Sequence, residues 1–220
     1  DDGGGSVWVA ACSDLTCSTV TTNEVLPNAA NSTHEFAVVV RAGKPLIAYY
    51  DTGDGVKLSL ALCDDVQCSG PTTKELDERN LDSSTLGYVS MALDTQGRPM
   101  VAYSSELDEG GSTQDIRLAA CDDMQCNTVQ NVLIAERSDG SIGEEAQIGL
   151  AGDNPFIAYA DLFSDLYLVR CKDRLCATQQ SAKIVGGLRR DDLDLATVGG
   201  TALIAYSSGK RTVPVLECDD

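Results

Sequence analysis

The chain has 220 residues, and its 34 acidic against 16 basic side chains give a net charge of −18. Such a surface repels phosphate backbones and anionic lipid, which excludes nucleic-acid binding and polybasic membrane roles. No run of 18 apolar residues occurs, so no transmembrane segment is expected, and the single histidine, His34, leaves no material for His-based catalysis or a multi-His metal site.

In chain order, the first element is an alternating segment with Val7 and Val9 on one side. It enters Cys12-Ser13-Asp14-Leu15-Thr16-Cys17 and leaves through Ser18-Thr19-Val20-Thr21-Thr22. Period two with β-branched residues predicts a half-buried strand, and the C-x4-C segment predicts the turn into the next one. The pattern returns with Leu58 and Leu60 before Cys63–Cys68, Ile116 and Leu118 before Cys121–Cys126, and Leu166 and Leu168 before Cys171–Cys176. Val213 and Val215 precede Cys218, which has no pairing partner within the chain. An aspartate recurs at the second inner position (Asp14, Asp65, Asp123, Asp173), where a short carboxylate caps backbone N–H groups of a turn. First cysteines follow one another at 51, 58, 50 and 47 residues, the spacing of an array of supersecondary units. Zinc is the rival reading, but its cysteine pairs usually stand two apart and two pairs must converge on one ion. The expected bonds are therefore Cys12–Cys17, Cys63–Cys68, Cys121–Cys126 and Cys171–Cys176, which place the chain outside a reducing compartment.

Two further strands precede each cysteine hairpin. One contains Ile47-Ala48-Tyr49, Val101-Ala102-Tyr103, Ile157-Ala158-Tyr159 or Ile204-Ala205-Tyr206. Turns with Gly43-Lys44-Pro45, Gly97-Arg98-Pro99 and Asp153-Asn154-Pro155 lead into the first three, after strands with small residues such as Ala37, Ala92, Gly149 and Ala196. Each unit is thus four antiparallel strands, a to d. The predicted fold is an all-β propeller of four-stranded blades of about 50 residues each. Its divisions are a partial blade at 6–25, blades at about 35–78, 88–134 and 145–184, and a partial blade at 191–218. A β-sandwich built of two units per domain is the alternative architecture. The recurrent Tyr49, Tyr103, Tyr159 and Tyr206 are expected to pack between blades, each hydroxyl reaching a backbone partner.

The units resemble a family of secreted, mostly bacterial propeller repeats of the form G-x-P-x-I-x-Y-Y-D followed by L-K-L-x-x-C and C-x4-C. Gly43, Pro45, Ile47, Tyr49, Tyr50 and Asp51 carry the first part; Lys57, Leu58, Leu60, Cys63 and Cys68 carry the second. The resemblance implies a shape related to sialidase-like propellers and no particular activity.

Strand c is expected at both ends of the chain, giving 17 strands where a four-bladed ring needs 16. The functional expectation is accordingly a non-enzymatic extracellular structural or adhesive repeat module, part of a larger surface protein or of an assembly exchanging terminal strands. Self-association or neighbouring repeats are the expected partners. The alternative is a carbohydrate-binding or glycoside-cleaving propeller.

The loops joining b to c and d to a should share one face. Asp51, Asp54, Glu106, Asp108, Glu109, Asp115, Asp161 and Asp165 fall there and form the candidate ligand or Ca²⁺ surface. Asp51-Thr52-Gly53-Asp54-Gly55 lacks the spacing of a calcium loop, and solvated turns are the favoured explanation of such residues, so no metal or cofactor is assigned. Asp51 and Asp161 with Tyr50 are the carboxylates imaginable as a hydrolase site. Asn31-Ser32-Thr33 is a glycosylation sequon, which makes Asn31 the candidate modification site.

Overall fold

The computed structural model describes residues 5–30, 36–51, 56–81, 88–106, 114–136, 142–161, 165–186, 188–208 and 215–218. Every regular element among them is a β-strand. Sheet 1 pairs β1 (Gly5–Cys12) with β2 (Val20–Ala30). Sheet 2 has the order β3 (Ala37–Arg41), β4 (Lys44–Asp51), β5 (Val56–Leu62) and β6 (Thr72–Leu81). Sheet 3 follows with β7 (Val89–Leu93), β8 (Pro99–Glu106), β9 (Gln114–Cys121) and β10 (Val129–Ala135). Sheet 4 contains β11 (Ile142–Ala151), β12 (Asn154–Asp161), β13 (Leu166–Cys171) and β14 (Gln179–Val185). Sheet 5 contains β15 (Leu188–Val198), β16 (Thr201–Ser208) and β17 (Val215–Cys218). All pairings are antiparallel between chain neighbours, the meander that forms a propeller blade.

The cysteine hairpins explain why the c and d strands meet. Disulfides join Cys12 to Cys17, Cys63 to Cys68, Cys121 to Cys126 and Cys171 to Cys176. The second cysteine of every pair has a left-handed backbone, with φ between 51° and 55°. This conformation costs an L-residue free energy, and the inner aspartate offsets it. Asp65 Oδ1 accepts the N–H groups of Gln67 and Ser69; Asp123 Oδ1 accepts those of Gln125 and Asn127; Asp173 Oδ1 accepts those of Leu175 and Ala177. The Ser18 hydroxyl, first among the causes, holds the Asp14 carboxyl well below the usual range, and the Ala177 N–H leads for Asp173. Four disulfides point to an oxidising environment. No helix among the described residues is long and apolar enough to cross a membrane.

Both faces of the middle sheets are buried, because each apolar cluster lies between consecutive sheets. Val7, Val25 and Leu26 of sheet 1 meet Ile47, Tyr49 and Ala61 of sheet 2. The other face of sheet 2, with Leu46, Ala48 and Tyr50, meets Val101, Tyr103 and Ala119 of sheet 3. Sheets 3 and 4 join through Met100, Ala102, Ile157 and Tyr159, and sheets 4 and 5 through Phe156, Ala158, Ile204 and Tyr206. The recurrent tyrosines therefore pack against the preceding sheet, as their fixed position predicts. Small residues let the inner strands come close: a Cβ on Gly149 would lie 2.6 Å from Thr197 Cγ2.

At the end carrying the a–b and c–d turns, side chains cross from sheet to sheet. One Arg41 Nη donates to the carbonyls of Gly97 and Met124 at 2.9 and 2.7 Å, and Thr95 donates to Asp153. The Asp94 carboxylate receives Arg98 Nε at 2.6 Å and Arg174 Nε at 2.9 Å.

Candidate functional site

Buried carboxylates need partners, because an unpaired buried charge is strongly unfavourable. Among the described residues the buried ones are Asp77, Asp94, Asp115, Glu145 and Asp161. Asp94 belongs to the turn end and is consumed by its two arginines. The other four lie on strand segments leading to or from the opposite end, towards the b–c and d–a loops.

Two of these four, Glu145 and Asp161, lie on adjacent strands of sheet 4. Asp161 ends β12, and β11 runs beside it as the innermost strand of the sheet. The register pairs Ile142 with Asp161 and then Ala146 with Tyr159, so Gly143, Glu144 and Glu145 face a single residue, Ala160. This bulge interrupts the alternation and turns Glu145 into the interior, where it is 3% exposed. Glu145 Oε1 accepts the N–H of Leu193 on β15 at 2.7 Å, bridging the inner strands of sheets 4 and 5. Asp161 Oδ1 accepts the Asp165 N–H at 2.7 Å, and Tyr167, stacked on Tyr159 with ring centroids 5.2 Å apart, reaches the same carboxylate. Burial, the first cause, together with the nearby Asp161 and Asp165 charges, pushes the Tyr167 hydroxyl up. The inner strand of sheet 5 breaks register at the same height: Leu188 pairs with Ser208 and Leu193 with Tyr206, leaving residues 189–192 opposite one residue. The local chemistry is thus two carboxyl groups on adjacent strands, Glu145 oriented towards sheet 5 and Asp161 on the face of Tyr159 and Tyr167.

The sequence candidates fare unevenly. Asp161 is part of this arrangement, and Asp165 supports it while also pairing with Lys183. Asp115 begins the c strand of sheet 3 and pairs with Arg117 Nη2 at 3.1 Å. Asp51 ends β4 opposite Lys57, in sheet 2, so sheet 3 stands between it and Asp161 in the order of the array. Tyr50 is unsuited to a hydrolase role, being buried with its hydroxyl donated to the Ser104 carbonyl at 2.5 Å. Glu106 ends β8, and its side chain lies outside the described residues, as do Asp54, Asp108, Glu109 and Asn31. Cys218 ends β17, and its side chain is likewise outside them. No group of three His, Cys, Asp or Glu capable of holding a metal occurs among the described residues.

The tyrosine hydroxyls also depart from expectation. Tyr103 meets a side chain, Asp77 Oδ2 at 2.7 Å, whereas the backbone partner falls to the neighbouring-register Tyr50. The residues that sequence reasoning missed are Glu145, Asp77 and Arg117. A signal existed for Glu145: when the inner strands are aligned on Val38, Met91, Ile148 and Leu195, its position is filled by Glu35, Tyr88 and Asp192 in the other units.

Sequence comparison finds no family model that matches the chain and no matching curated protein. Comparison with solved structures does find matches. The GH43 endo-arabinanase from Bacillus licheniformis is 13% identical with a TM-score of 0.51, over 84% of this chain and 70% of its own. The sialidase of Trypanosoma rangeli is 10% identical with a TM-score of 0.53, over 99% of this chain and 42% of its own. A Dyadobacter fermentans protein of unknown function reaches 0.58 at 13% identity, over 89% of this chain and 63% of its own. At such identities the likeness shows the fold: a propeller-like array of antiparallel sheets. It also corrects the expectation of a non-enzymatic structural or adhesive module. The named matches of known activity that share this fold are an arabinanase and a sialidase, and the chain buries Glu145 on inner strand β11 beside the strand that ends in Asp161. The earlier expectation weighed carboxylates at loops and overlooked Glu145, buried in a bulged strand.

Proposed function

We propose that the chain is a glycoside hydrolase-like propeller that acts on a neutral glycan outside the reducing cytosol. The observation that carries this reading is the bulge in β11, which buries Glu145 beside the strand that ends in Asp161. Glycosidic bond cleavage ordinarily employs two carboxyl groups, one to protonate the leaving oxygen and one to act as nucleophile or to activate water. In this chain the Leu193 N–H orients the Glu145 carboxyl group, the proposed proton donor to the leaving oxygen. Asp161, oriented by Asp165 N–H and Tyr167, is the second carboxylate.

The matches to the arabinanase and sialidase folds support the reaction class, and charge favours one substrate type over the other. A net charge of −18 disfavours anionic sialosides at long range. Arg189, Arg190 and Arg211 all fall in the last unit of the sequence rather than in separate units. A neutral pentose or hexose polymer is therefore the proposed substrate class. The test is reducing-sugar release from arabinan and galactan by the full chain. Glu145→Gln and Asp161→Asn should each lower the rate by about 10²–10⁴-fold with an unchanged melting temperature. Failure of the wild-type chain to release sugar from any neutral glycan, or full activity in both variants, would overturn it.

A further inference from the structure

A concave feature lies at the junction of sheets 2 and 3. It is a crevice of about 580 Å³ between β6 and the β9–β10 hairpin, walled by Glu75, Asp77, Arg117, Asn127, Val129 and Asn131. β6 and β10 are the outermost strands of their sheets, so this crevice is separate from the inner-strand end that holds Glu145 and Asp161.

Its walls are fixed before any ligand arrives. Asn131 Nδ2 donates to the Leu76 carbonyl at 2.9 Å across the junction. Tyr103 donates to Asp77, Lys74 to Asn127 Oδ1 at 3.0 Å, and Lys57 to Glu75 at 2.9 Å. One group is left over. Arg117 uses Nη2 for Asp115, but its Nε–H is buried with no hydrogen-bond partner among the described residues. A buried unmade donor is unfavourable, and an incoming acceptor relieves that cost.

The lining selects the kind of acceptor. A carboxylate or sulfate would approach Glu75 and Asp77, and a cation would approach Arg117. A purely apolar group would leave the Nε–H unmade. A hydroxyl satisfies every wall, because it accepts from Arg117 and donates to a carboxylate or amide oxygen. We propose that this crevice binds a neutral polyhydroxylated ligand, a single sugar unit, with one ring hydroxyl accepting the Arg117 Nε–H. It would be a second sugar position away from the inner-strand end, and it rests on the carbohydrate reading only for the source of the sugar.

The Arg117 Nε–H resonance of the ¹⁵N-labelled full chain tests this directly. Titration with free galactose and with free L-arabinose should move that resonance saturably for at least one of them, with a dissociation constant of about 1 mM. Inorganic sulfate should not move it. Glu75→Gln, at the partly exposed rim, should keep the fold and weaken the sugar response by about threefold; Arg117→Lys, which retains the charge facing Asp115, should weaken binding by calorimetry by about tenfold. Glu145→Gln should leave the response intact, which separates this site from the proposed hydrolytic one. A resonance unmoved by either sugar, one moved equally by sulfate, or one whose response disappears in Glu145→Gln would overturn the proposal.

Discussion

Arg174, on the disulfide loop of sheet 4, donates its Nε–H to the Asp94 carboxylate of sheet 3 at 2.9 Å, and its Nη2 reaches the Cys121 carbonyl. Asp94 has a fully buried side chain, and Arg174 is 15% exposed. One side chain therefore ties three loops at a sheet junction. Truncating one partner of a buried pair strands the other, yet Arg98 remains to compensate Asp94. We expect Arg174→Met to cost about 2 kcal/mol in urea unfolding. Asp94→Asn, which leaves two guanidinium groups without their carboxylate, should cost about 3 kcal/mol or more. Equal and negligible effects would mean that the junction does not depend on this contact.

Acid should loosen the same structure. Desolvation, the largest single influence on Asp94, raises its carboxyl, but the Arg98 N–H, Arg174 and the Arg98 guanidinium outweigh it and leave it lowered. Asp14, Asp65, Asp123 and Asp173 are lowered too. A folded-state value below the unfolded one of about 3.9 means that stability is complete above that range and is lost as pH falls through the folded value. The melting temperature should be flat near neutrality and fall steeply below about pH 4. Asp94→Asn should flatten part of that fall, and a profile identical to wild type would contradict the assignment.

The disulfides should open in an order set by burial. Cys12 and Cys17 are exposed, while Cys121 is 0% and Cys126 3% exposed within the core between sheets 2 and 3. Graded reduction followed by alkylation and peptide mass analysis should label Cys12 and Cys17 first and Cys121 and Cys126 late. Closing a loop this short stabilises by about 2 kcal/mol in the chain-entropy account. Removing the buried pair as Cys121→Ser with Cys126→Ser should therefore cost at least that much.

Gly149 and Thr197 form a steric pair on the inner strands of sheets 4 and 5. Gly149→Ala places its Cβ against Thr197 Cγ2 and should cost about 1–3 kcal/mol. Adding Thr197→Ser removes that methyl and should recover most of the loss. A double variant no better than the single one would show that the strain is released elsewhere.

Much of this architecture can be read from the residues. Alternation at Leu58 and Leu60 or Ile116 and Leu118 marks c strands, because one face of each is buried by a neighbouring sheet. The C-x4-C spacing with its aspartate marks the turns, because the geometry is local and repeated four times. Glu145 was harder to see: its burial depends on a bulge, and a bulge defeats the period-two rule at the place where it inserts residues. The Arg174–Asp94 contact joins residues 80 positions apart, so no local pattern announces it. Arg117 carries no local signal, because the crevice it lines forms only where β6 meets the β9–β10 hairpin.

Since every apolar cluster is owned jointly by two adjoining sheets, no sheet has a private interior with which to stand alone. Energetically the molecule is a row of coupled neighbours, in which damage at one seam weakens the two members that share it before it reaches the rest. Unfolding of seam variants such as Gly149→Ala should therefore spread outward from sheets 4 and 5, with amide exchange accelerating in sheet 3 before sheet 2.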